Sequence, residues 1–238
     1  MRILVVEHEA DAGIGLVGER IQHAGAEMVV VGPEAGQEVP RSAAVYDGVV
    51  VLGGSPSPSD DSVSWFPNVR ALIRDCVDRE VPLLGICLGA QLLGLVAGGH
   101  TDLVRGGPEI GVCTLRTTAA AAGDPLLGDL PTLARSLEWH FYEVRDLPAE
   151  AELLVTGDRS AHQAFRVGRY AWAMQFHLEA LPYTAEAWSR GQDELLAAVG
   201  LTGGRLVAQM REAEPEMRDT WSPVADRWLD LCARLRNG

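Results

Sequence analysis

A cysteine sits in Gly85-Ile86-Cys87-Leu88-Gly89, between an apolar run over residues 81–86 and a segment of helical spacing over residues 88–97. A strand that ends and a helix that begins around a glycine-flanked cysteine form the thiol version of a nucleophile elbow. Its sharp turn exposes the reactive atom, and its small neighbours avoid clashes. A helix N-terminus also favours the thiolate over a thiol whose unperturbed pKa is about 8.5. The N–H of Leu88 would then point to where an oxyanion forms. The same pentapeptide also suits a buried structural cysteine packed among glycines.

A base and its orienter follow in Gln175-Phe176-His177-Leu178-Glu179, after a strand pattern over residues 170–174. A His and a Glu two apart on extended chain project to one side. The carboxylate can hold one ring nitrogen and leave the other for a thiolate. The competing bases are His8, His23, His100, His140 and His162, and only His140 has a similarly suggestive setting. A second oxyanion donor fits Leu52-Gly53-Gly54-Ser55, where paired glycines after a strand let the backbone approach a ligand.

The elements that must position these groups can be read around them. Residues 3–6, 28–31, 48–52 and 83–86 are short, near-continuous apolar runs, and residues 14–24 and 69–79 carry apolar side chains at helical spacing. Apolar strands alternating with helices indicate a parallel sheet covered on both faces, with ligands beyond the carboxyl ends of its strands. Further strands are expected over 110–116, 152–155, 163–167 and 170–176. After Pro182 the pattern turns helical, over 184–199 and 217–236, separated by residues 200–204 and Pro215. The expected division is an α/β domain over 1–182 and a helical extension over 183–238 packed on it.

The chain has 238 residues, 47% hydrophobic, with 33 acidic against 20 basic side chains, for a net charge of −13. That balance argues against nucleic-acid binding, which needs clustered cations. No lysine occurs, and no apolar run is long enough to span a membrane. The start reads as no signal peptide, because Ile3-Leu4-Val5-Val6 is stopped at once by Glu7-His8-Glu9. Four separated cysteines without a C-x-x-C suggest reduced thiols in the cytoplasm.

Taken together, these pieces resemble the class I, triad-type glutamine amidotransferases. Gly85-Ile86-Cys87-Leu88-Gly89-Ala90-Gln91 is similar to the family's nucleophile signature, and Gln175-Phe176-His177-x-Glu179 to its second one. Gly53-Gly54, Gly98-Gly99, Glu109-Ile110-Gly111, Trp139-His140 and Gln163-Ala164-Phe165 add to the match, which covers about residues 1–182. The helical tail resembles stand-alone members akin to the amidotransferase part of GMP synthase.

The resemblance implies a flavodoxin-like α/β fold, a mostly parallel sheet flanked by helices, and glutamine as substrate with no cofactor or metal. Cys87 would attack the side-chain amide, His177 would protonate the departing ammonia, and Glu179 would orient His177. Gly54 and Leu88 would form the oxyanion hole. Gly53, Gln91, Trp139 and His140 would hold the substrate. Departures from the pattern are Leu178 where the family has proline, Phe141-Tyr142 where it has Gly-Asp, and Ser55-Pro56-Ser57-Pro58 after the glycine pair. Three functions follow as expectations. The first is a glutaminase that passes ammonia to a synthetase or other acceptor enzyme, since the chain has no P-loop of its own. The second is a γ-glutamyl hydrolase or peptidase running the same thioester chemistry. The third is a non-catalytic binding protein, which would have no need to keep Cys87, His177 and Glu179 together.

Overall fold

The computed structural model describes residues 1–236. Strand β1 (Arg2–Val6), helix α1 (Gly15–His23), β2 (Glu27–Val31), β3 (Gly48–Val51), α2 (Phe66–Arg79), β4 (Leu83–Ile86) and α3 (Leu88–Val96) alternate through the first half. Then come β5 (His100–Leu103), β6 (Glu109–Thr117), β7 (Leu133–His140), β8 (Tyr142–Asp146), β9 (Glu152–Thr156), β10 (Ala164–Val167) and β11 (Ala171–Met174). Helices α4 (Pro182–Ser189), α5 (Asp193–Ala198) and α6 (Gly203–Arg236) close the described chain.

Nine strands form one sheet in the order β2-β1-β3-β4-β11-β10-β9-β6-β7. The five from β2 to β11 are parallel, and β10, β9, β6 and β7 extend the sheet antiparallel. β5 and β8 pair separately. This is the α/β architecture expected from the alternating apolar runs.

Side-chain alternation explains the layering. Ile3, Val5, Val50, Leu52, Leu84 and Ile86 enter one core with Leu16, Val17 and Ile21 of α1 and the apolar stripe of α6. Leu4, Val6, Val49, Val51 and Leu83 enter the other core with α2 and α3. Both faces of the parallel half are therefore sealed, and only strand ends and loops remain for a site. Among the described residues no helix is long and apolar enough to cross a membrane.

Three sequence expectations are corrected. The helix expected over 184–199 is interrupted: α4 stops at Ser189, and Gly191 takes φ 70° before α5 begins. Pro215 does not separate two helices but lies inside α6, together with Pro223. A ring inside a helix costs one backbone hydrogen bond. It is tolerated here because Leu206, Met210, Ala213, Met217, Trp221 and Trp228 keep burying the same stripe on both sides of it. Strands β5, β7 and β8 were not expected at all. In β7 the buried residues Ser136, Glu138 and His140 are polar, so the strand lacks the apolar alternation that would reveal it.

Candidate active site

At the end of β4 the chain turns through Cys87 with φ 50° and ψ −104° and enters α3 at Leu88. Positive φ at a residue with a side chain is strained, and such strain concentrates where a reactive group must be presented. The turn is held by surrounding backbone. Cys87 N–H donates to Met174 O at 2.7 Å, and Gly89 N–H to Leu52 O at 3.2 Å. A Cβ on Gly89 would lie 2.1 Å from Val51 O, so only glycine lets the helix start sit this close to β3. As the first residue of α3, Leu88 has an N–H with no acceptor inside the helix.

His177 lies beyond the end of β11 and is fixed from two sides. Its N–H donates to Leu137 O on β7 at 2.8 Å. Its ring Nδ1 stands 2.7 Å from Glu179 Oε1, and both side chains are buried. Trp188 meets the ring edge-on, centroids 4.6 Å apart. Burial alone would lower the pKa of this imidazole, but the nearby Glu179 and Cys87 raise it well above its ordinary value. Gly53 packs against both chemical groups: a Cβ there would lie 3.0 Å from His177 Cε1 and 3.5 Å from Cys87 Cβ.

Cys87 and His177 open onto one pocket, about 510 Å³ of space partly continuous with solvent. Trp139 and Trp188 line it together with Glu9, Asp11, Gly54 and Ser55, and Trp188 Nε1–H donates to Asp11 O at 2.8 Å. The Cys87 Sγ is 3.9 Å from Trp139 O. Glu9 grips the glycine loop, accepting from Ser55 N–H at 2.8 Å and from Ser55 Oγ at 3.0 Å. His8 packs beneath Gly54, whose added Cβ would lie 2.9 Å from His8 Cβ.

Of the expected site residues, Cys87, His177, Gly54 and Trp139 line this pocket, while Glu179 and Gly53 do not line it but contact the His177 ring. Gln91 and His140, expected to hold substrate, point elsewhere. Gln91 Nε2 donates to Tyr142 O at 2.8 Å and to Gln175 Oε1 at 3.2 Å inside the protein. His140 is buried on the face of β7 opposite Trp139. Its Nδ1 is 2.9 Å from Tyr142 O, and its Nε2 is 3.1 Å from Glu138 and 3.3 Å from Glu109. Burial pushes its pKa down, but these two carboxylates win and hold it up at about 10. The three groups have donor atoms within 4.8 Å of one another, a spacing a metal ion could bridge. Glu109 also accepts from Gln163 Nε2 at 3.1 Å. Burial raises the pKa of Glu138, which favours its neutral form.

The sequence reading missed Glu9, Asp11, Trp188 and Gln192 as pocket residues. The first two follow β1, and the rule that ligands gather beyond parallel strand ends could have flagged them. Trp188, in a helix after the last strand, carried no local signal.

Residues 11–188 match the family model described as glutamine amidotransferase class-I. The chain belongs to the class I glutamine amidotransferase family. It is 28% identical over 221 residues to YfeJ, a glutamine amidotransferase-like protein of Salmonella typhimurium, covering 89% of this chain and 90% of that one. It is 25% identical over 198 residues to γ-glutamyl peptidase 5 of Arabidopsis thaliana, covering 81% and 74% of the two chains. A crystal structure of a glutamine amidotransferase from Thermotoga maritima superposes with a TM-score of 0.87 at 23% identity, over 97% of this chain and 98% of that one, a likeness of fold. In this class I amidotransferase the parallel half thus supplies the thiol and the glycine loop. The antiparallel half, through β7, steadies the histidine.

Proposed function

We propose that this chain hydrolyses the side-chain amide of glutamine, or of a γ-glutamyl compound, through a thioester at Cys87. The observation that carries the reading is His177, held by Glu179 at 2.7 Å and lining the same open pocket as Cys87. The Cys87 thiolate attacks the γ-carbonyl carbon. The N–H groups of Gly54 and Leu88 receive the developing oxyanion. His177 gives its proton to the departing nitrogen, and Glu179 keeps the ring in the required tautomer and orientation. Water then enters, His177 takes one of its protons, and the thioester is cleaved to glutamate and free Cys87.

Family membership supports glutamine as substrate, with the ammonia passed to a synthetase or other acceptor enzyme. Such a partner would dock on the pocket rim, around residues 55–61, Phe141-Tyr142 and the residues beyond Glu179. Because Glu9 holds Ser55, a partner that displaced Glu9 would free the Gly53-Gly54 loop and change the alignment of one oxyanion donor.

A second reading, a γ-glutamyl hydrolase or peptidase, is favoured by the pocket itself. Its aromatic walls and its opening to solvent accommodate a leaving group larger than ammonia. The likeness to a γ-glutamyl peptidase over most of the chain points the same way.

The test is to incubate the pure protein with glutamine and with γ-glutamyl amides and to measure ammonia, amine and glutamate, with and without the enzyme encoded beside it. Turnover of glutamine that rises with a partner supports ammonia delivery. Preference for larger amides supports the hydrolase. No release from any substrate, with any partner, sinks both.

A further inference from the structure

Glu109 of β6 and Glu138 and His140 of β7 form a second group of chemically active side chains, outside the Cys87 pocket. The two strands pair antiparallel with Glu109 opposite His140 and Gly111 opposite Glu138, so the three side chains leave one face of the sheet. They are 4%, 0% and 2% exposed, and their donor atoms lie within 4.8 Å of one another. Among the described residues His140 is the one ion-pair partner of either carboxylate. Hydrogen bonding does not account for the group. Neither oxygen of Glu138 makes a hydrogen bond, and neither does His140 Nε2, although it stands 3.1 Å from Glu138 and 3.3 Å from Glu109. A fully buried carboxylate is normally hydrogen-bonded, paired or bound to a metal.

The surroundings of the group hold its members as metal ligands are held. His140 Nδ1 is 2.9 Å from Tyr142 O. A carbonyl can only accept, so Nδ1 carries the proton and the lone pair of the neutral ring sits on Nε2, beside both carboxylates. Glu109 Oε2 is steadied by Gln163 Nε2 at 3.1 Å. A histidine that donates its other N–H to a backbone carbonyl, and a carboxylate held by an amide, are the outer partners that metal ligands have. The spacing agrees as well. Ligand atoms about 2.0–2.2 Å from a tetrahedral zinc ion stand about 3.3–3.6 Å apart, close to the 3.1 and 3.3 Å seen here. One imidazole with two carboxylates suits zinc better than calcium or magnesium, which take six or more oxygens. Two carboxylates also balance the charge of a dication.

We propose that Glu109 Oε2, Glu138 Oε2 and His140 Nε2 bind one zinc ion, with water in the fourth position. The ion takes the place of any proton held among these groups. It clips β6 to β7, the strand whose Leu137 carbonyl holds the backbone of His177. The site is independent of the chemistry proposed for Cys87 and stands or falls apart from it.

The experiment strips the full chain with a chelator, titrates it with zinc sulfate and reads the bound metal by plasma mass spectrometry. It is done with Cys87→Ala, so that the catalytic thiol cannot take the ion instead. One zinc per chain should survive gel filtration. At free zinc about 100-fold above its Kd the melting temperature should rise by roughly 5–10 °C. Glu138→Gln and Glu109→Gln should each weaken binding by more than about 100-fold, beyond the 10–100-fold that loss of an outer partner costs. His100→Ala, which removes the exposed pair of His100 with Asp146, should leave binding unchanged. Where a glutamine variant fails to fold, cobalt bound to the parent chain decides, since a four-coordinate site gives intense visible bands. A chain that retains no zinc, glutamine variants that hold it as tightly as the parent, or bound cobalt without a four-coordinate spectrum each overturn the proposal.

Discussion

The carbonyl of Leu137 accepts the backbone N–H of His177 at 2.8 Å, and the two residues form an isolated antiparallel bridge. His177 is therefore anchored to β7, at the far edge of the sheet, although in sequence it follows β11. Strand β7 does two jobs there. Leu137 holds the histidine backbone, and Trp139, two residues on, walls the pocket and presents its carbonyl to Cys87. A shift of β7 would move His177 and this pocket wall together.

Glu179→Gln should lower kcat roughly 10²–10⁴-fold while leaving KM within a few-fold, because it removes the charge that steadies imidazolium but keeps the side chain's shape. Cys87→Ala should abolish turnover. Steady-state kinetics on whichever amide proves active will decide. A Glu179→Gln enzyme at full rate would remove Glu179 from the mechanism.

Gly53→Ala should cripple the enzyme without unfolding it. The added methyl would come within 3.0 Å of His177 Cε1, so the ring must tilt away from Cys87. Misplacing a catalytic group by a fraction of an ångström to an ångström costs on the order of 10²-fold in rate. Circular dichroism and urea melts should match the wild type while kcat falls. Loss of the fold with loss of rate would contradict this account.

Iodoacetamide should label Cys87 first. Burial pushes the thiol of Cys113 up to about 12 and raises those of Cys76 and Cys232 further still. At neutral pH each of these is almost wholly the unreactive thiol. Cys87 alone of the four opens onto the catalytic pocket. Peptide mapping after brief, substoichiometric labelling is the check, and a dominant adduct at any other cysteine refutes the assignment.

Acid should destabilise the fold through His8. Burial lowers its pKa to about 4, and its Nδ1 must stay unprotonated to accept Trp65 Nε1–H at 3.0 Å. The unfolded chain takes up this proton below about pH 6.5, the folded chain only near pH 4. The stabilisation is therefore complete above pH 6.5 and is lost as pH falls from there towards 4. Between pH 7 and pH 4.5 the wild type should lose roughly 2–3 kcal/mol more stability than His8→Gln. Denaturant melts at the two pH values measure it, and parallel curves for the two proteins would exclude His8.

The parallel half was legible because its demands are local. A strand sealed on both faces must be apolar throughout, as in Val49–Val51 and Leu83–Ile86, and a cysteine turned through positive φ against Val51 O needs Gly89 two residues on. Leucine in place of proline at 178 does not disturb the approach of His177 to Glu179. What stayed hidden depends on distant partners. His140 looked like a ligand-binding residue beside Trp139, but consecutive strand residues face opposite ways, and its side chain turned inward to Glu109 and Glu138. Trp188 acquires its role only when α4 folds back over the end of the sheet, a contact no local pattern encodes.

Helix α6 touches both halves of the molecule. Arg20 of α1 forms a two-pronged ion pair with Asp226, at 2.7 and 2.9 Å. On β7, Arg135 pairs with Glu216 at 2.6 Å and gives its carbonyl to Trp221 Nε1–H at 2.9 Å. One rod thus fastens the layer over the parallel strands to the edge strand that anchors the histidine. The consequence is cooperativity: neither half can melt while the other keeps its packing, so the protein should unfold in a single transition. Loosening α6, far from the pocket, would be felt first as a wandering His177.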